Sequence, residues 1–221
     1  MRVEQASVQR QCGKVVDRHG VRSASAVLAD SAALVFPAVC EAIAETPSHV
    51  RRVIEYHFGW DAGVAPIRYG GKAVRAALAT LSCEALGGAA ALAVDAAVCV
   101  ELLHNASLLH DDIIDGDRQR RGRPAAWTVF GVPAAMLAGD ALFFLAMGRA
   151  AAMQSGTACD SVGKVIDSFT EVIEGEYLDI LLEGRSGATV SEVEAMAASK
   201  TGALIALACV LGGSAAGVDL D

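Results

Sequence analysis

A chain of 221 residues supports one large domain with a sizeable buried core, and two domains only if both are small. The composition is 53% hydrophobic, rich in alanine and only 5% aromatic, which favours closely packed helices over a strand-rich sandwich. A formal net charge of −8 excludes a generally basic surface, so nonspecific nucleic-acid binding is not expected.

Residues up to about Arg22 are mixed polar and charged and read as a loosely held arm, leaving 23–221 as the domain. The first predicted helix is Ser25 to Glu45, with Pro37 as a kink or break. Thr46-Pro47-Ser48 offers a turn and cap before a short helix through Tyr56, and Gly59 to Gly71 reads as a loop. Helical spacing returns from Lys72 to Leu86 and stops at Gly87-Gly88. Ala89 to Asp115 is the longest predicted helix, apolar nearly all round except for Asp95, Glu101, His104 and Asn105, as suits the middle of a bundle. Pro133 opens a helix running through Met153, and Asp160 to Glu183 and Ser191 to Leu211 supply two more. The expected architecture is an all-α bundle.

Six cysteines are scattered without a CxxC pair, which points to neither zinc nor a disulfide framework but to small buried thiols in a reducing cytoplasm. The first residues contain no apolar core of a signal peptide. The longest uncharged run, Gly202 to Val218, is marginal for a membrane span, and its glycines favour a buried helix instead. No membrane span is therefore expected.

The segment LLHDDIIDGDRQRRGRP, Leu108 to Pro124, holds the densest chemistry. Asp111 and Asp115 are four apart and share a helix face, with Asp112 on an adjoining row. Carboxylates at a helix C-terminus oppose the macrodipole, a conflict that a bound cation removes. Hard oxygen ligands of this kind suit Mg²⁺. Arg118, Arg120, Arg121 and Arg123 follow at once, and guanidinium groups grip phosphate oxygens in pairs. Taken singly, such acids and arginines equally describe a helix end followed by a solvated basic turn. Lys72 and Arg75, behind Gly70-Gly71, suggest anion binding near a helix start, although two surface cations would look the same. Lys200-Thr201 in an apolar helix either snorkels to the surface or touches a second phosphate. Glu176 and Asp179, beside Gly175, read as support for a metal site or as a wet helix face. His57, His104 and His110 read as packed histidines, because no nucleophile or relay partner is recognisable.

In order and spacing, GGKAVR, ELLHNASLLHDDIIDGDRQRRGRP, FGVPAAMLAGDALF, EGEYLD and SKTGALI resemble the trans-isoprenyl diphosphate synthases, from about Arg51 to the end of the sequence. RRVIEYHFGW followed by GGKA is similar to the actinobacterial branch, and geranylgeranyl diphosphate synthases are the nearest type. The resemblance implies a helical bundle around a deep apolar cavity, with Mg²⁺ and two diphosphates at its mouth, in a homodimer. Asp111 and Asp115, supported by Asp112, would bind the Mg²⁺. Lys72, Arg75 and Arg121 would hold isopentenyl diphosphate; Arg120, Lys200 and Thr201 would hold the allylic diphosphate. Ala106 and Ser107, small and one turn before Asp111, would lie in the cavity wall or floor and permit products of C20 or longer, unless Phe143 or Phe144 blocks the cavity deeper down.

The sequence departs from the family pattern in several places. It shows no second aspartate-rich motif after Lys200-Thr201, so it reads as an incomplete domain whose activity alone is in doubt. Ala73, Ala76 and Glu176 replace commoner residues, and Asp95 is read as standing where a His or Gln usually binds isopentenyl diphosphate. Two rival readings follow: a class I terpene cyclase on the same fold, and a noncatalytic partner subunit of a prenyl diphosphate synthase.

Overall fold

The computed structural model describes residues 22–60, 71–153 and 161–218. The expected arm, apart from Arg22, and most of the expected loop after Gly59 lie outside the described residues. Helix α1, Ala24–Ala44, starts where the Ser23 hydroxyl accepts the Ala26 N–H, a conventional N-cap. It continues through Pro37, against expectation, because Val35, Val39, Ala42 and Ile43 bury one stripe that holds both halves on the bundle. Helix α2, Ser48–Phe58, ends on Gly59, whose φ of 80° supplies the left-handed turn. Helix α3, Val74–Ala85, begins two residues after Lys72.

The long central element is a 3₁₀ turn, Ala90–Ala93, leading into helix α4, Val94–Ile114. Twelve of the residues of α4 are buried, and it packs on α1 and α3. Beyond it, a two-stranded antiparallel hairpin pairs Gln119 with Pro124 and Arg120 with Arg123. Its two-residue loop is Arg121-Gly122, with φ of 54° and 75°, the doubly positive geometry that matches the twist of the strands. The basic run is thus a folded hairpin, followed by a short helix α5, Ala126–Phe130, that the sequence reading omitted. Helix α6, Val132–Ala152, has Pro133 in its first turn and makes the most extensive packing with α4. Helix α7, Ser161–Leu182, follows.

The last expected helix is real but is not uniform. Helix α8, Val190–Ala197, opens with a capping box between Thr189 and Glu192, passes through a π-helical segment at Ala198–Gly202, and continues as α9, Ala203–Ser214. Lys200 and Thr201 sit in that π segment. Helices α3 and α9 pack closely because Gly212 has no side chain: a Cβ there would lie 2.1 Å from the Ala79 carbonyl oxygen.

Four helical stretches, Ala24–Ala44, Ala90–Ile114, Val132–Ala152 and Val190–Ser214, are long and apolar enough to cross a membrane by length and composition. The expectation of no span therefore gains nothing from those two measures. In Ala90–Ile114 the apolar character has a packing explanation, since 67% of the window is buried inside the bundle.

The Gly212 contact gives a stability prediction. Gly212→Ala forces a methyl into backbone, and the strain should lower unfolding free energy by about 1–3 kcal/mol despite the better helix propensity of alanine. Urea denaturation of the two proteins checks it.

Candidate functional site

Helix α4 presents two adjoining stripes, each with helical spacing, to two different cavities. Glu101, His104 and Leu108 line a cavity of about 580 Å³ together with Lys72, Arg75, Arg120 and Arg121. Ser107, His110, Asp111 and Ile114 line a cavity of about 290 Å³ that is otherwise walled by α6 and α7, with Phe143, Phe169, Val172, Ile173, Glu176, Tyr177 and Ile180. The first is cationic and the second apolar. Asp111 stands at the boundary between them, close enough to interact with Arg120 on one side and Glu176 and Lys200 on the other.

In the cationic cavity, Lys72 is exposed and Arg75 half-buried in the first turn of α3. The Glu101 carboxylate, 2% exposed, accepts the Ala76 N–H at 3.0 Å and so ties α3 to α4. Arg121 donates to Asn105 Oδ1 at 3.2 Å. His104 and His57 lie against these cations. Burial first, then Arg75 and Arg121, pushes His104 down to about 3, and burial with Arg121 and Arg120 does the same to His57. Both imidazoles are neutral, able to donate or accept a hydrogen bond without adding charge.

His104 is the site residue that the sequence reading missed. By residue type it reads as a packed histidine, whereas its place one turn from Leu108, in the same cavity as Lys72 and Arg75, puts it in the wall. Asp95, expected to bear on isopentenyl diphosphate, is elsewhere: it faces Arg149 at 3.5 Å and lines a separate hollow with Met153, Ser161 and Ser214. The signal available in the sequence was spacing, because His104 is one helical repeat of seven before Asp111 and Asp95 is more than four turns away.

The acidic cluster also divides. Asp111 is half-buried at the cavity wall, and burial, with Glu176 and Asp115 adding repulsion, pushes its carboxyl up to about 7 although Lys200 and Arg120 oppose the shift. Asp115 is exposed at the C-cap of α4, its N–H bonded to the Asp111 carbonyl at 2.8 Å. Asp112, expected beside them as a metal ligand, is instead fully buried and accepts from Arg120 Nε at 2.7 Å, with the Arg120 Nη2 group on the same oxygen. Its other oxygen has no hydrogen-bond partner among the described residues, and burial outweighs Arg120 in raising its pKa. One residue of rotation, about 100°, separates the cavity-facing position from the core-facing one. Among the described residues no three His, Cys, Asp or Glu side chains converge on a point that would hold a metal alone.

The hairpin is pinned at both ends. Arg123 stacks 4.5 Å over the Tyr56 ring, whose hydroxyl donates to the Pro124 carbonyl at 3.0 Å. The Trp127 indole N–H donates to the Asp117 carbonyl at 2.7 Å, with Arg118 above its ring.

At the other wall, Lys200 Nζ lies 2.8 Å from Glu176 Oε2 and 2.7 Å from Asp179 Oδ2. Gly175 permits the approach: a Cβ there would stand 2.1 Å from the Lys200 backbone nitrogen. Thr201 is exposed in the same π segment. Of the expected floor residues, Ser107 lines the apolar cavity, but Ala106 is fully buried in the bundle core and does not. Phe143 lines it and packs edge-on against Phe169, ring centres 4.6 Å apart, and against His110 at 5.4 Å. Phe144 is 77% exposed and points out of the bundle, so it is no blocker.

Two measurements on the metal-free protein follow. The Asp111 carboxyl has a folded pKa of about 7 against an ordinary 3.8, so its ionised form destabilises the fold above pH 7, and the effect vanishes below pH 4 where both states are protonated. Asp111→Asn should accordingly raise Tm at pH 8 by roughly 2–4 °C, as about 1 kcal/mol does in a domain of this size, with the gain shrinking towards pH 4. Asp112→Ala should speed amide hydrogen exchange in residues 118–124 about tenfold, or ~1.4 kcal/mol of local opening, while Asp115→Ala leaves it within twofold, ~0.4 kcal/mol.

The polyprenyl synthetase family pattern matches residues 63–221. The chain is 36% identical over 186 residues to the (2E,6E)-farnesyl diphosphate synthase of Mycobacterium bovis, covering 83% of this chain and 52% of that protein. It is 37% identical over 186 residues to a geranylgeranyl diphosphate synthase of Mycobacterium tuberculosis, with 83% and 53% covered. It thus spans about half the length of these curated relatives. The crystal structure of a polyprenyl synthetase from Streptomyces coelicolor superposes with a TM-score of 0.82 at 41% identity, over 89% of this chain and 59% of that one. Fold and sequence agree, and the chain belongs to the polyprenyl synthetase family, with its isoprenoid synthase fold.

Proposed function

We propose that the protein containing this chain condenses isopentenyl diphosphate with an allylic diphosphate to give a longer polyprenyl diphosphate; small Ser107 in the cavity wall supports C20 or beyond, with geranylgeranyl diphosphate the leading product, and Phe143 sets the upper limit. The observation that carries this reading is the pair of cavities on adjoining stripes of α4, one cationic and one apolar, meeting at Asp111. A terpene cyclase needs one diphosphate site; Lys72, Arg75 and Arg121 around neutral His104 support a second.

In this reading isopentenyl diphosphate lies against Lys72, Arg75 and Arg121, and His104 donates to it a hydrogen bond without adding charge. The allylic tail enters the apolar cavity past Ser107 towards Phe143 and Phe169, which keep water from its reacting carbon. Lys200, Arg120 and Thr201 meet its diphosphate. The bond between C1 of the allylic substrate and its diphosphate oxygen breaks, C1 bonds to C4 of isopentenyl diphosphate, and a proton lost from C2 passes to the released diphosphate. No protein nucleophile enters this balance.

Asp111 and Asp115 fit a divalent cation: Mg²⁺ takes one or two carboxylates plus water and phosphate oxygens, and a cation there would offset the burial and the repulsion from Glu176 and Asp115 that hold the Asp111 carboxyl above its ordinary range. Magnesium, which the family typically uses, would supply positive charge where the diphosphate departs. Asp112 serves instead to aim Arg120. We further propose a homodimer, as the resemblance implies, and a reducing cytoplasm, which the free thiols of Cys40, Cys83, Cys99 and Cys209 support.

The test is incubation of the full-length protein with farnesyl diphosphate and Mg²⁺, with and without isopentenyl diphosphate. Elongation only when both are present is the expected result; hydrocarbon released from farnesyl diphosphate alone overturns it in favour of a cyclase. Asp111→Ala or Asp115→Ala should lower turnover by at least about 10²-fold, as lost charge stabilisation at the departing group does. Ser107→Phe should shorten the products by at least one five-carbon unit and Phe143→Ala should lengthen them, read by chromatography of the dephosphorylated alcohols.

A further inference from the structure

At the mouth of the apolar cavity, negative charge exceeds what the cation there satisfies. Asp111, Glu176 and Asp179 act on Lys200, and Asp115 adds its charge beside Asp111, while Arg120 is bonded to Asp112 and only partly offsets Asp111. Lys200 is no loose surface amine. The missing side chain at Gly175 lets the backbone of α7 press against the π segment, and the ammonium then reaches Glu176 and Asp179, three residues apart on one face of α7. The two carboxylates differ. The Asp179 side chain is 40% exposed and screened by water, whereas that of Glu176 is 15% exposed, and its second oxygen, Oε1, is buried without a hydrogen-bond partner among the described residues. A buried carboxylate with one oxygen unsatisfied acts at low local dielectric, so its hold on the ammonium and its repulsion of incoming anions are both stronger than at the surface.

We propose that Glu176 is a positioning residue that keeps Lys200 engaged in the free protein and thereby makes capture of the allylic diphosphate conditional on a divalent cation. The proposal rests on the functional reading above. A prenyl diphosphate arriving without metal meets a lysine already shared by two carboxylates and a surplus of negative charge. With metal bound at Asp111 and Asp115 the surplus is offset, and Lys200 can exchange Glu176 for a phosphate oxygen. Glutamine at 176 has the same shape and no charge, so it isolates the effect.

The experiment is titration calorimetry of the full-length protein with farnesyl diphosphate, whose tail directs it to the apolar cavity, in EDTA and again in saturating Mg²⁺. Glu176→Gln should bind at least fivefold tighter than the unmodified protein in EDTA and within twofold of it in Mg²⁺, with Tm unchanged or raised. Glu176→Ala, run in parallel, should shift the same way, and the gain should vanish in a Lys200→Gln background. Equal affinities in EDTA overturn the inference. So does an equal gain with and without metal, which would make Glu176 only one more negative charge. If the unmodified protein binds farnesyl diphosphate in neither condition, the functional reading itself falls and this inference with it.

Discussion

The pairing of buried Asp112 with Arg120 is the contact on which the site's layout depends. It joins the last turn of α4 to the hairpin, and the hairpin supplies Arg120 and Arg121 to the cationic cavity. Because Asp112 points into the protein, its neighbour Asp111 is left facing the apolar cavity, one residue of helical rotation away. A single helix end thus distributes charge in two directions. The cost is a carboxylate held in a poorly solvated place with one oxygen unsatisfied, which is weak support for stability as such. Its return is geometric: Arg120 is held in the wall of the cationic cavity, close enough to act on Asp111.

Much of this arrangement was legible in the sequence. The longest apolar helix, its acidic end, the arginine run and the later lysine all follow from residue type and spacing, and they stand in the places that a bundle with a charged mouth requires. The hairpin was less legible, since its strands are only two residues each and arginine at a positive φ is uncommon; the Arg121-Gly122 pair was the one local sign. Asp112 and Ala106 were misread for one shared reason. A stripe rule of three and four residues states which positions share a face but does not fix the edge of that face, and both lie just beyond it. His104 failed differently: a histidine on an apolar helix is ordinary, and only the cations brought up from α3 and the hairpin give it a role.

Small residues set the distances between elements. Gly139 lets α6 close on His110, where a Cβ would stand 2.4 Å from Nε2; Gly175 brings α7 to the π segment; Gly212 brings α9 to α3. Each contact joins helices that are far apart in sequence. The alanine-rich composition, at first only an argument for helices, is therefore also an argument about spacing: closely set backbones leave the larger side chains, Phe143 and Phe169 among them, to shape the cavity.

The π segment at Ala198–Gly202 has an implication for how this region tolerates change. A π turn accommodates one residue more than an α-helical turn, so α8 and α9 are offset in phase by about 100° relative to an uninterrupted helix. Deleting one residue there would regularise the hydrogen bonding locally and yet turn Gly212 away from Ala79, exchanging a smooth helix for a bundle that no longer closes. Point substitutions leave that phase intact. Length, more than residue identity, is what this stretch of chain must conserve to keep its lysine at the cavity mouth and its far end seated on α3.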